Sequence, residues 1–149
     1  MKNRRVLKVL LTTALMVAGL VATAVHPAVV YARDGVFIHI SSGTDNPHRV
    51  LMALRMAGIM AEDKDVLVYF DIKGVDVVLK EAVELKHAAF PSSKEAIAAL
   101  IEQNVPLYAC PGCLKAAGKS AADLMAGVQV ADKDAFFDFT EGRILTLDY

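Results

Sequence analysis

The only two cysteines of the chain stand three positions apart, in the motif Cys110-Pro111-Gly112-Cys113. This spacing places Cys110 at the start of a predicted helix, where free N–H groups and the positive end of the helix dipole favour a thiolate. Cys113 follows one turn later on the same face, so it can form a disulfide with Cys110 or attack an adduct on it. The motif therefore predicts thiol chemistry with Cys110 as the nucleophile.

Other kinds of site also use a Cys-x-x-Cys motif. A structural zinc site needs four ligands, and the chain has neither a second cysteine pair nor a suitably spaced histidine. Attachment of c-type haem requires histidine directly after the second cysteine, where this chain has Leu114. We therefore predict no metal site and no cofactor. A passive disulfide in an oxidising compartment stays open, although so short a loop would add little stability.

Two active alternatives remain, namely thiol–disulfide exchange and sulfur transfer through a persulfide on Cys110. A thioredoxin domain carries its motif after an early strand and a cis-proline later in the chain. Here no proline follows Cys113, and the motif stands late in the sequence. Both features argue against a thioredoxin fold.

Several further side chains could assist the thiols. His48 begins a predicted helix and could protonate a leaving sulfur, although a surface position is the commoner role of such a histidine. Lys115 could lower the Cys110 pKa, or it is an ordinary surface lysine. His87 lies in a loop that could cover the cysteines, although loop residues are solvated by default. His39 lies within an apolar strand and is predicted to be a hydrogen-bonded core or subunit-interface residue.

The elements that position the motif alternate between strand and helix. Short apolar runs predict strands over 36–40, 66–70, 105–109, 128–130 and 144–147. Capping signals predict three helices: one over 47–61 after an Asn46 N-cap, one over 92–103 with a Ser92–Glu95 capping box, and one over 111–117 that Gly118 ends in a left-handed conformation. Further helices are predicted over 75–85, where the signal is weaker, and over 120–127 and 132–141. The alternation indicates a three-layer α/β/α fold with a five-stranded, mainly parallel sheet. In such sheets the working groups gather at the carboxyl ends of the strands.

The amino-terminal segment has the composition of a secretory signal. Residues 1–32 contain no acidic residue, and their basic residues are Lys2, Arg4, Arg5 and Lys8. An apolar run follows over 9–25, and the small residue Ala32 suits the cleavage site of a signal peptidase. We predict export to the periplasm or beyond, with cleavage after Ala32 and without stable membrane association. An uncleaved membrane anchor is the alternative. The predicted domains are thus a signal peptide over 1–32 and an α/β domain over 33–149.

Charge and composition limit the possible partners. The whole chain has 16 basic and 17 acidic residues, and all the acids lie beyond residue 32. Without the four basic residues of the signal, the domain carries a net charge of −5. An acidic surface argues against nucleic acid as a partner. An apolar fraction of 55% excludes intrinsic disorder.

Residues 105–118, VPLYACPGCLKAAG, give the chain a family resemblance. Together with the strands over 36–40 and 66–70, the helix rich in Ala and Met after Pro47 and the ending over 138–148, this stretch resembles the DsrE/DsrF-like family of small sulfur-metabolism proteins. The resemblance covers residues 35–149. In the family, a cysteine that ends the third strand and precedes a glycine by eight residues accepts sulfur, and these positions match Cys110 and Gly118.

The resemblance implies homotrimers or homohexamers, and sulfur transfer by a persulfide without an organic cofactor. It favours an exported sulfur carrier or sulfurtransferase in which Cys110 holds the persulfide and Cys113 resolves it, with sulfur-donor and acceptor proteins or small thiols as partners. The best understood members act in cytoplasmic relays, so export favours envelope sulfur oxidation or thiol chemistry over tRNA thiolation. The alternatives are a thiol–disulfide oxidoreductase and a non-enzymatic oligomeric module with a structural disulfide.

Overall fold

A computed structural model describes residues 32–149, which form a five-stranded sheet with helices between the strands. The strands are β1 (Gly35–Ile40), β2 (Asp65–Phe70), β3 (Leu107–Ala109), β4 (Val128–Val130) and β5 (Ile144–Asp148). They lie in the order β4-β3-β2-β1-β5, and every neighbouring pair is parallel. The predicted α/β fold is thereby confirmed. The predicted signal segment, apart from Ala32, lies outside the described residues.

Three α-helices connect the strands, and their ends match the capping signals of the sequence. Helix α1 (Pro47–Met60) begins after Asn46, whose side chain accepts a hydrogen bond from the N–H of Arg49 at 3.2 Å. Helix α2 (Ser93–Glu102) opens with the predicted capping box. Helix α3 (Pro111–Ala116) follows the first cysteine, and Gly118 is left-handed as predicted, with φ 69°. Between Ala32 and Tyr149 no helix is long and apolar enough to cross a membrane.

Three segments that the sequence predicted as helices hold only one short 3₁₀ turn each. Gly74–Val78 overlaps the start of 75–85, Ala121–Asp123 lies within 120–127, and Asp134–Phe136 lies within 132–141. The first turn is rich in β-branched valines, which lose side-chain freedom in an α-helix but are buried here. In the last segment, the hydroxyl of Thr140 donates to the carbonyl of Arg33 at 2.7 Å, a tertiary contact that competes with helix formation.

The two faces of the sheet are covered differently. Side chains alternate along a strand, so Ile38 and Ile40 point towards the core with α1 and α2, and His39 points the opposite way. On that second face the segment 131–142 replaces the predicted last helix. Its Phe136 packs with ring centroids 5.7 Å from Phe37 and 5.0 Å from Tyr69. The second face is therefore a half-buried aromatic surface that ends at the cysteine motif.

Candidate active site

Cys110 lies between the end of β3 and the first turn of α3, where the sequence places it. Its backbone N–H donates to the carbonyl of Phe70 at 2.8 Å, which extends the β2–β3 ladder by one residue. Its Sγ accepts the backbone N–H of Cys113 at 3.3 Å, so the sulfur acts as the N-cap of α3. Pro111 occupies the first turn and has no N–H to leave unpaired. The sulfur is thus fixed beside free N–H groups.

The phenol of Tyr69 is the first of the causes that lower the pKa of Cys110. Burial raises the pKa of the Cys110 thiol, but hydrogen bonds from Tyr69, from Cys113 and from the backbone of Gly112 outweigh burial and hold that pKa below its ordinary value. Burial, and then the interaction with Cys110, raises the pKa of Tyr69. Tyr69 therefore stays protonated at neutral pH and can donate to a thiolate.

Cys113 has the opposite character. Its Sγ accepts the backbone N–H of Ile72 at 3.1 Å. The interaction with Cys110, followed by burial, raises the pKa of Cys113 above its ordinary value. Both cysteines are free thiols and are partly exposed. The pair therefore consists of a nucleophilic thiol at Cys110 and a protonated thiol one helical turn away.

The backbone at Ile72 is strained. Its φ is 47°, in the left-handed region that β-branched residues rarely adopt, and its side chain is 63% exposed. Ile72 is the second residue after β2, and its left-handed conformation accompanies the hydrogen bond from its N–H to Cys113 Sγ. Strain of this kind is retained where the surrounding structure holds the backbone in place, often beside a functional group.

Ile72→Gly is expected to stabilise the fold by up to about 1 kcal/mol, because glycine adopts a positive φ without the Cβ clash. Urea denaturation measures the change in the free energy of unfolding. The matched control is Val83→Gly, since Val83 is similarly exposed, at 68%, and its φ is not positive. We expect that control to lose about 1 kcal/mol, and an equal loss in both variants would contradict the strain at Ile72.

His39 lies on β1, the strand next to β2, and both of its ring nitrogens contact carboxylates. Its Nδ1 lies 2.7 Å from Asp148 Oδ1 and its Nε2 lies 2.9 Å from Asp71 Oδ1. Neither Nε2 nor this Asp71 oxygen has an aligned hydrogen-bond partner within residues 32–149, so their contact is a charge–charge contact. Burial lowers the pKa of His39, but the hydrogen bond with Asp148 and the contact with Asp71 outweigh burial and raise that pKa above its ordinary value.

The strand register explains why these residues meet. His39 pairs with Tyr69 on one side and with Asp148 on the other, and Asp71 follows the end of β2. The His39 ring stacks on the Tyr69 ring with centroids 5.8 Å apart and an angle of 28° between the planes. His39 is hydrogen-bonded, as the sequence predicted, and it also lies next to the thiol site. Tyr69, Asp71 and Asp148 were not predicted, although strand-end positions in a parallel sheet are the signal that could have found them.

The three supporting residues predicted from the sequence all occupy exposed positions. His48 and His87 stack on each other, with centroids 4.2 Å apart and planes 2° from parallel, and both are exposed. Lys115 is exposed in the last turn of α3. Among residues 32–149, the hydrogen-bond partners of the two thiols include none of these three side chains.

The described side chains also bear on whether the site could bind a metal ion. Within residues 32–149, no three histidine, cysteine or carboxylate side chains are grouped to hold a metal ion. The carboxylates of Asp71 and Asp148 contact opposite nitrogens of His39, so these donors do not converge on one point. The chemistry that the arrangement supports is nucleophilic attack by Cys110 on a sulfur atom, with Tyr69 as a donor and Cys113 as a second thiol.

Comparison with known proteins places the chain in a family. The YchN protein from E. coli has a similar solved structure, at a TM-score of 0.60 and 19% identity over 77% of this chain and 99% of that one. MTH1491 from Methanobacterium thermoautotrophicum, a protein of unknown function, is similar at a TM-score of 0.54 and 18% identity, with coverage of 77% and 99%. None of the curated proteins matches the chain. The family model of the DsrE/DsrF-like family matches residues 34–143, including both cysteines, and the chain therefore belongs to that family.

Proposed function

We propose that the protein is a sulfur carrier that holds sulfur as a persulfide on Cys110. The observation that carries the proposal is the thiol pair, in which hydrogen bonds from Tyr69 and from the first turn of α3 favour the thiolate at Cys110 while Cys113 stays protonated. Membership of a family associated with sulfur relay supports the same chemistry. Cys110 is also the position that matches the sulfur-accepting cysteine of the family.

Loading requires a donor that carries a transferable sulfur atom, such as a protein persulfide, a polysulfide or thiosulfate. With a persulfide donor, the Cys110 thiolate attacks the outer sulfur, a new S–S bond forms at Cys110 Sγ, and the S–S bond of the donor breaks. The donor leaves as a thiolate and takes a proton from solvent. The transfer moves one sulfur atom with no net change in oxidation, so no cofactor takes part.

Two routes can unload the persulfide. An acceptor thiolate can attack the outer sulfur, which restores the Cys110 thiolate and forms the acceptor persulfide. Alternatively, the Cys113 thiolate attacks Cys110 Sγ and expels the outer sulfur as hydrosulfide, which leaves a Cys110–Cys113 disulfide. This second route needs two electrons from an external dithiol, or from two thiols, before the next cycle. The hydrogen bond from the Cys113 backbone N–H to Cys110 Sγ, at 3.3 Å, supports this role because it keeps the two residues in contact.

Export and assembly complete the proposal. The composition of residues 1–32 supports delivery to the periplasm, where donor and acceptor would be exported proteins or small thiols. A homotrimer or homohexamer would cover apolar side chains that the single chain leaves exposed. Ile144 is 46% exposed, Leu145 54% and Phe137 69%.

Mass spectrometry of the purified domain after incubation with polysulfide tests the proposal. We expect added mass in whole sulfur-atom steps, located on Cys110 by fragmentation of the peptide that contains both cysteines. Reduction should remove the added mass, and alkylation of Cys110 before the incubation should prevent it. A protein that takes up no sulfur from polysulfide, thiosulfate or a persulfide donor would be no sulfur carrier.

A thiol–disulfide oxidoreductase is the second candidate, because the contact between Cys113 and Cys110 would also suit a reversible disulfide. The two functions differ in what they transfer, since an oxidoreductase moves electrons and leaves no sulfur on the protein. Reduction of insulin disulfides in the presence of dithiothreitol separates them. A marked acceleration of insulin reduction without any persulfide on Cys110 would favour the oxidoreductase.

A further inference from the structure

We propose that His39 is a positioning residue of the thiol site, which keeps Cys110 reactive by holding the Tyr69 ring and by compensating the charge of Asp71. The inference rests on the proposed function for its biological meaning. Its test reads the reactivity of Cys110 directly, so the two can fail separately. Neither His39 nor Asp71 touches the reacting sulfur, and both act through their neighbours.

The first part of the argument is the packing around Tyr69. Its ring lies within a cluster of aromatic rings, stacked on His39 at 5.8 Å, with Phe37 at 6.1 Å and Phe136 edge-on at 5.0 Å. A ring packed in this way has little freedom to turn, which limits how far the hydroxyl can move from the thiol whose pKa it lowers. His39 is the polar member of this cluster, and its position is fixed from both sides by carboxylates.

The second part is the charge of Asp71. Burial is the largest cause of the raised pKa of Tyr69, and Cys110 is the largest cause of the raised pKa of Cys113; the negative charge of Asp71 adds to both. Asp71 directly precedes Ile72, whose N–H donates to Cys113 Sγ, so its carboxylate disfavours a thiolate at Cys113 and repels an anionic sulfur donor at the thiol pair. His39 places a positive partner 2.9 Å from this carboxylate. The imidazolium thereby reduces the negative field at the thiols.

The third part is the balance of charge around His39 itself. The titratable groups that face its ring are Asp148 from β5, Asp71 after β2 and the phenol of Tyr69. With His39 protonated, two carboxylates and one cation leave a single negative charge beside the site. With His39 neutral or absent, two negative charges remain. Because the pKa of His39 lies above its ordinary value, the protonated form extends towards neutral pH and is lost as the pH rises through that pKa.

The experiment measures the rate at which iodoacetamide alkylates Cys110 as a function of pH, in the whole folded domain, with the adduct located by peptide fragmentation. The rate rises with pH as the thiolate forms. We expect His39→Gln to move this rise to higher pH and to slow alkylation about threefold to tenfold at neutral pH. Adding Asp71→Asn to His39→Gln should restore most of the rate, because it removes the uncompensated charge.

A matched control and a second variant separate the proposed effect from a general change in the protein. His87→Gln changes an exposed histidine of the His48–His87 stack and should leave the profile unchanged. Asp71→Asn with His39 retained should speed alkylation at neutral pH, and it gives an answer even if His39→Gln does not fold. An unchanged profile in His39→Gln, a double variant no faster than His39→Gln, or slower alkylation in Asp71→Asn would each overturn the proposal. A protein that shows the expected shifts but never takes up sulfur would refute the sulfur-carrier function and leave the role of His39 standing.

Discussion

We expect Cys110→Ser to abolish sulfur loading, and Cys113→Ser to leave loading intact and to prolong the life of the persulfide. A serine hydroxyl is not ionised at neutral pH and cannot form the S–S bond, so the first variant should lose at least about a hundredfold in loading rate. In the second variant the attack that expels hydrosulfide is impossible. The persulfide should then persist about tenfold longer when no acceptor thiol is present.

Both rates follow from one mass-spectrometric time course with polysulfide, with hydrosulfide release measured in parallel. The matched control is Lys115→Ala, an exposed neighbour on the same short helix. Loading should change by less than about twofold in that variant, because Lys115 has no hydrogen bond with either thiol in the described part of the chain. A persulfide that disappears equally fast with and without Cys113 would show that Cys113 is not the resolving thiol.

Gly74→Ala is expected to destabilise the domain by about 2 to 4 kcal/mol, since overpacking against backbone cannot be relieved by a rotamer change. A Cβ on Gly74 would collide with the carbonyl oxygen of Ile40 and lie 3.0 Å from its carbonyl carbon. The neighbouring Asp71 N–H donates to the same Ile40 carbonyl at 3.1 Å. The substitution should therefore push the turn over 71–74 away from β1.

Urea denaturation of Gly74→Ala and of a control, Gly58→Ala, measures this loss. A Cβ on Gly58 meets no atom within 4 Å, and the residue lies inside α1. Alanine there should stabilise the domain by about 0.5 to 1 kcal/mol through helix propensity. Because the turn also carries the Ile72 N–H, Gly74→Ala should alter Cys113 reactivity as well. Equal stability of the two variants would contradict the close approach of Gly74 to β1.

The sequence predicted the elements whose signals are local. Five apolar runs became the five strands, and Asn46, Ser92 and Gly118 mark helix ends as predicted. Segments whose conformation depends on tertiary contacts were predicted less well. The helix expected over 132–141 is an example, because its Phe136 packs on Phe37 and Tyr69 and covers the second face of the sheet.

The residues of the candidate site show the same difference between local and long-range signals. Cys110 and Cys113 stand in one motif and could be read directly. Asp148 lies 109 residues from His39 and meets it only because β5 pairs with β1, and no local pattern tells which edge the last strand occupies. The stacking of His48 on His87 likewise joins a helix start to a distant loop, a contact that no local pattern indicates.

The hydrogen bond from Ile72 to Cys113 has a practical consequence. Its amide proton points at a sulfur atom, so its NMR resonance and its exchange with deuterium respond to the state of that sulfur. Alkylation of Cys113, or its incorporation into a disulfide, changes or removes the acceptor of this proton. The protein therefore contains a backbone reporter, separate from both cysteines, through which a change at Cys113 Sγ can be followed in solution without an attached label.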